Sequence, residues 1–214
     1  EFVSVYRMHP LIPDEYELSP LGDAPPTSFD FQALGPGKWR GPLGEIGVAG
    51  AFRSFAISHP GQLVLHNYPL SFITGFRPDP DGPQVDLATV DIVRDRERGV
   101  PRYNEFRALM HRKPVASFED LTRDPVVAAE LREVYGHVDR VDTMVGLFAE
   151  PRPDGFAFGA TAFRVFLLMA SRRLKSDRFF TTDYTAEVYT QTGLDWIDDV
   201  SMTKVLLRHH PELA

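Results

Sequence analysis

Helix punctuation recurs along this sequence, while no stretch alternates apolar and polar residues cleanly enough for a half-buried strand. That asymmetry points to a mainly α protein with long loops. Residues 86–98 read as an amphipathic helix with Asp86 as its N-cap and a stop at Gly99 and Pro101. Ser117-Phe118-Glu119-Asp120 has capping-box spacing, and Asp124-Pro125 sets a cap before a proline at the first helical position. Residues 126–135 and 138–150 follow as helices, and 161–177 is the most apolar helix. Residues 45–58 also carry small and apolar residues at helical spacing. Residues 13–42 are rich in proline and glycine (Pro20, Pro25, Pro26, Gly35, Pro36, Gly37, Gly41), which predicts a long wrapped loop, and 75–83 is a second turn-rich break. With no internal repeat or low-complexity run, the economical arrangement is one unit.

Composition narrows the function. A chain of 214 residues with 43% hydrophobic content can fill one substantial core, or part of a larger one. The net charge of -7 and the lack of any lysine- or arginine-rich run exclude nucleic acid as an expected partner, because phosphate binding needs a concentrated basic surface. The absence of cysteine removes disulfides, iron–sulfur clusters, zinc thiolates and cysteine nucleophiles, and leaves the compartment open. No apolar run is long enough to span a bilayer, so the visible chain is expected to be soluble or at most peripheral to a membrane; its location stays open, with the cytoplasm or a membrane periphery favoured.

The opening stretch, Glu1-Phe2-Val3-Ser4-Val5-Tyr6-Arg7-Met8-His9-Pro10, sets a tyrosine and a histidine three positions apart at the end of an apolar helix. Residues three apart on a helix share a face, so a cofactor docked there could be ligated by His9 with its edge near Tyr6. Such pairs also arise by chance in ordinary helices, and the spacing alone leaves both readings open. Pro10 lacks an N–H and its ring would meet the carbonyl of Tyr6, so the helix is expected to kink or end at His9. Glu1 opens inside a helical stretch with no cap or polar lead-in, which reads as a piece of a longer protein.

Asp91 lies four residues after Leu87, on what reads as the buried face of its helix, so it needs a donor. Arg94 or Arg98 is the plainer candidate. The other is the ring N–H of His9, since a metal-bound histidine gives its second nitrogen to an acceptor. The run from Arg94 to Arg107 alternates charge sign, which suits either a solvated helix face or arginines set to receive carboxylates such as haem propionates. Arg172 and Arg173 near the end of 161–177 complement a helix dipole. An arginine among Phe163, Phe166, Phe179 and Phe180 also suits a long substrate with an apolar tail and a carboxylate head. The remaining histidines lack metal-ligand spacing, and no Walker loop, dinucleotide turn or nucleophile elbow is present.

Taken together these segments resemble the animal-type haem peroxidase superfamily, and within it most closely the fatty-acid α-dioxygenases, relatives of the cyclooxygenases. The resemblance is carried by Glu1-Phe2 through Tyr6-Arg7-Met8-His9, by Asn67-Tyr68-Pro69, and by the run from Arg94 to Arg107. It continues through Leu131-Arg132-Glu133-Val134-Tyr135-Gly136, Gly146-Leu147 with Ala149-Glu150, and Ala170-Ser171-Arg172-Arg173-Leu174. Asp177-Arg178-Phe179-Phe180-Thr181-Thr182 and Tyr189-Thr190 with Gly193-Leu194 complete it. The order is collinear over nearly the whole chain, although residues 14–57 match poorly.

The resemblance implies that residues 1–214 are the C-terminal, proximal-haem portion of one mainly α peroxidase-like domain. By it, His9 would be the proximal ligand of the iron of haem b and Tyr6 the residue that becomes a tyrosyl radical. Asp91 falls where relatives place an asparagine or glutamate partner for the imidazole. Arg94 would meet a haem propionate, and Arg173 would hold the fatty-acid carboxylate. The implied oxidoreductase uses peroxide-oxidised haem to oxidise Tyr6; the radical removes hydrogen beside the substrate carboxylate, and dioxygen adds to give a 2-hydroperoxy fatty acid. Holding the carboxylate near Tyr6 would present the α-carbon. The family's distal histidine and calcium-binding loop lie upstream of the tyrosine helix, so a calcium site would fall outside this chain, and the segment alone would lack the distal side needed for activity. Two other readings fit: a haem peroxidase oxidising small donors with hydrogen peroxide, and a non-catalytic fragment whose missing N-terminal half supplies the distal side.

Overall fold

The computed structural model describes residues 2–31, 33, 34, 37–75, 77, 79 and 81–214. In chain order the elements are α1 (Phe2–Val5), β1 (Glu15–Leu18), β2 (Thr27–Asp30), α2 (Arg40–Ile57), α3 (Leu70–Thr74), α4 (Leu87–Glu97) and α5 (Tyr103–Leu109). They continue with α6 (Phe118–Leu121), α7 (Pro125–Tyr135), α8 (Thr143–Ala149), α9 (Ala160–Ser176), α10 (Ala186–Tyr189), α11 (Gln191–Asp199) and α12 (Met202–His209). The protein is mainly α, as its punctuation predicts. The expectations at Glu1, Gly35 and Pro36, and part of the 75–83 break, lie outside the described residues. No helix among the described residues is long and apolar enough to cross a membrane.

The chain forms two compact units, Glu1–Asp14 with Pro60–Leu168, and Glu15–His59 with Met169–Ala214. In the first, α5 and α8 build the centre of the core, where Tyr103, Phe106 and Val141 are completely buried. Gly146 allows α8 this approach, because a Cβ there would overlap the ring of Tyr103. Glu150, just past α8, ties the start of α9 to α5: its carboxylate accepts from Thr161 N (2.9 Å), Thr161 Oγ1 (2.9 Å) and Arg107 Nη1 (2.9 Å). Local caps set the helix starts. The side chains of Asp86, Ser117 and Asp124 each accept a backbone N–H of the following turn.

The stretch 138–150, read from sequence as one helix, is instead a 3-10 turn at Val138–Arg140 followed by α8. Asp142 breaks it with an extended backbone (φ -63°, ψ 146°), turning its carboxylate to Arg96, Arg102 and Tyr135. Those tertiary partners outweigh continued helix.

In the second unit, the region read as an irregular loop contains an antiparallel hairpin with Glu15 opposite Asp30 and Leu18 opposite Thr27. Leu18 is buried, and the hairpin's end is tied to α2, where Ser54 Oγ accepts from Ser19 N (2.8 Å). The α2 helix begins five residues before the expected start and bends at Gly47 (φ 71°).

Candidate functional site

The sequence predicts that a helix carries Tyr6 and ends at His9; α1 ends earlier, at Val5, and His9 opens a 3-10 turn, His9–Leu11. That turn is held from outside. Asn67 Nδ2 donates to Pro10 O (3.0 Å) and Gly61 N to Leu11 O (2.9 Å), and a Cβ on Gly61 would overlap the Pro10 carbonyl. Pro10 itself is buried. These contacts hold the backbone that follows His9, and the groups around the imidazole orient the ring.

The ring meets three groups brought from distant parts of the chain. Tyr68 Oη lies 2.8 Å from His9 Nδ1 and donates to Asp91 Oδ2 (3.1 Å), which is itself 3.3 Å from Nδ1. The other Asp91 oxygen is ion-paired with Arg7 Nη1. Phe72 packs edge-on against the imidazole at a centroid distance of 5.4 Å. Asp91 is completely buried. Burial first, and then the Asp91 charge, push the Tyr68 phenol well above its ordinary pKa, so it remains a protonated donor.

Counting protons assigns the tautomer. Tyr68 has one O–H, and Asp91, paired with Arg7, can only accept. If Tyr68 gave its proton to His9, Asp91 Oδ2 would face an unprotonated Nδ1 and a hydroxyl lone pair. Placing an imidazole proton on Nδ1 satisfies all three groups, and in the neutral ring this tautomer carries its lone pair on Nε2. This arrangement fits an axial haem ligand, which needs one coordinating nitrogen and a second nitrogen donating to an acceptor. Among the described residues no group of three or more His, Asp and Glu side chains is placed to hold a bare metal ion.

Tyr6 is 38% exposed, which leaves it within reach of a bound molecule. Its ring stacks on Phe166 (5.9 Å, 28°), which stacks on Phe163 (6.1 Å, 10°), which meets Phe156 edge-on (4.7 Å). An aromatic wall therefore runs from Tyr6 into the first half of α9. Arg94 is exposed on α4, and Arg173 lies in the last turns of α9, within the second unit.

The first unit thus brings His9 and Asp91 together, while the ring of Tyr6 packs on Phe166. The plainer sequence candidates for Asp91, Arg94 and Arg98, are both exposed. Arg7, Tyr68 and His9 meet the carboxylate instead. Arg7 and Tyr68 have no role in the sequence reading. The available signal for Tyr68 was its place in the Asn67-Tyr68-Pro69 segment, and for Arg7 its place beside His9.

Comparison with known proteins places the whole chain in one family. All of residues 1–214 match the family model described as animal haem peroxidase. The chain is 43% identical to alpha-dioxygenase 1 of Capsicum annuum, an alignment covering 100% of this chain and 36% of that protein. It is 44% identical to alpha-dioxygenase PIOX of Nicotiana tabacum, with the same shares covered. The crystal structure of fatty acid alpha-dioxygenase from Arabidopsis thaliana aligns with a TM-score of 0.91 and 39% identity, covering 99% of this chain and 35% of that one. The chain therefore spans about a third of the length of the relatives it matches. On the strength of a family match that runs from its first residue to its last, the chain belongs to the animal haem peroxidase family.

Proposed function

We propose that the full-length protein is a haem-dependent fatty-acid α-dioxygenase. The observation that carries this reading is Tyr6, exposed and three residues before His9, in a chain similar over its whole length to proteins named alpha-dioxygenases. His9 would hold the haem iron through Nε2, with Asp91 and Tyr68 fixing the proton on Nδ1, and Arg94 would pair with a haem propionate. Bound haem supplies, from peroxide, the oxidising power that the side chains lack. Tyr6 gives up an electron and its phenolic proton. Its radical takes a hydrogen atom from the carbon next to the fatty-acid carboxylate, which Arg173 would bind. Dioxygen adds at that carbon, and the Tyr6 O–H returns a hydrogen atom to the peroxyl group, giving the 2-hydroperoxy acid and restoring the radical. The aromatic wall of Phe166 and Phe163 beside Tyr6 suits an apolar substrate.

Oxygen consumption by the full-length, haem-loaded protein on addition of palmitate tests this. A saturated acid has no allylic carbon, so uptake reports attack beside the carboxylate. Tyr6→Phe should abolish uptake while the haem spectrum stays. Uptake retained in Tyr6→Phe would remove the radical role, and a haem-loaded wild type that oxidises guaiacol without consuming oxygen would leave a peroxidase of small donors.

A further inference from the structure

We propose that Tyr68 is a positioning residue for His9, interposed between the imidazole and Asp91 so as to moderate the pull of the carboxylate on the axial ligand. The inference rests on His9 being the haem ligand. Its basis is the order of distances: Nδ1 is 2.8 Å from the Tyr68 hydroxyl and 3.3 Å from Asp91 Oδ2, and the hydroxyl donates into that same oxygen. The shortest bond from the imidazole therefore goes to a neutral acceptor. The carboxylate is further engaged, with Arg7 on Oδ1 and the Tyr68 proton on Oδ2. A carboxylate taking the Nδ1 proton directly gives the ring imidazolate character and favours the more oxidised iron; a phenol takes it more weakly.

Tyr68 is well placed to hold this position. Its neighbour Asn67 grips the carbonyl of Pro10, and Asp14 Oδ1 accepts from Leu70 N (2.7 Å), so the segment is fixed on both sides. The Tyr68 ring packs on Phe72 at 6.5 Å and His9 at 5.4 Å, contacts that phenylalanine would keep. Removing only the hydroxyl leaves Asp91 Oδ2 as the one acceptor facing Nδ1–H.

The test uses the full-length, haem-loaded protein with Tyr68→Phe and reads the ferric/ferrous midpoint potential together with the Fe–His stretching frequency of the ferrous form. The expected result is a midpoint shifted to more negative values and a raised stretching frequency, with haem content unchanged. Unmoved values overturn the inference. So does the opposite pair, a higher midpoint with a lower frequency, which is what simple loosening of His9 would produce. His9→Ala, measured in parallel, should lose the Fe–His band. If the band persists there, the axial assignment falls and this inference with it; if it is lost while Tyr68→Phe changes nothing, only the role of Tyr68 falls.

Discussion

Two buried carboxylates, Asp95 on α4 and Asp142 ahead of α8, differ in the donors they meet and should respond oppositely to neutralisation. Asp142 accepts from Arg96 Nε (2.9 Å), Arg96 Nη2 (2.6 Å) and Tyr135 Oη (2.9 Å), and pairs with Arg102. Burial alone would raise its pKa, but the bonds from Arg96 and Tyr135 and the charge of Arg102 outweigh it, and the pKa is lowered. Asp95 has a buried oxygen, Oδ2, without a hydrogen-bond partner. Burial raises its pKa, the like charge of Asp91 adds to this, and Ser4 and Arg7 offset part of it. A depressed carboxylate stabilises the fold above its unfolded pKa of about 4, and that stability is lost as pH falls through the lower folded value. A raised one carries a penalty above its folded pKa that is relieved as pH falls through it toward about 4. Asp142→Asn should therefore lower stability at pH 7 by about 2 kcal/mol, with the deficit shrinking toward pH 3. Asp95→Asn should be neutral or stabilising at pH 7. Denaturant melts of the full-length variants decide it, and equal losses at both positions would contradict the assignment. That Asp91 needs a donor was legible in its apolar stripe. Which donor it finds was not, because Arg7 and Tyr68 reach it only through the tertiary fold.

At the scale of elements, what was legible is what is local. Asp86, Ser117 and Asp124 start their helices by bonds within one turn, and each start could be read from the residue and its spacing. The hairpin was missed because each strand has four residues, too few for alternation to stand out among prolines and glycines. The break at Asp142 was missed because two of the partners that cause it, Arg96 and Arg102, are far away in sequence. Gly146 belongs to the same class: alanine is the better helix former by about 1 kcal/mol, so propensity alone favours replacing it. The buried ring of Tyr103 argues the other way, since an added Cβ would overlap it. Gly146→Ala is thus expected to cost about 1–3 kcal/mol through overpacking, despite the gain in propensity. A denaturation midpoint equal to or above that of the parent protein would show that α8 can move away from α5 without loss.

For the whole molecule, the collinear motifs made the family legible even where each local pattern admitted an ordinary explanation, because no single helix face or charge run distinguishes a haem pocket from a core. The choice of reaction depends on how the substrate is held. Oxygenation next to the carboxylate, rather than deep in the tail, requires that end of the acid to be anchored where hydrogen is taken. Arg173, in the last turns of α9, is the proposed anchor. An arginine–carboxylate contact is worth about 1.5–3 kcal/mol, so Arg173→Leu in the full-length protein should raise KM for palmitate by about 10- to 100-fold. Methyl palmitate, which presents no charge, should be a poor substrate for the parent protein and little changed by the substitution. The ratio of kcat/KM for acid over ester should therefore collapse in Arg173→Leu, and Arg173→Lys, which keeps the charge but loses the bidentate geometry, should fall between the two. A loss of activity that is the same for acid and ester would mean that Arg173 supports the fold of α9 and does not read the carboxylate.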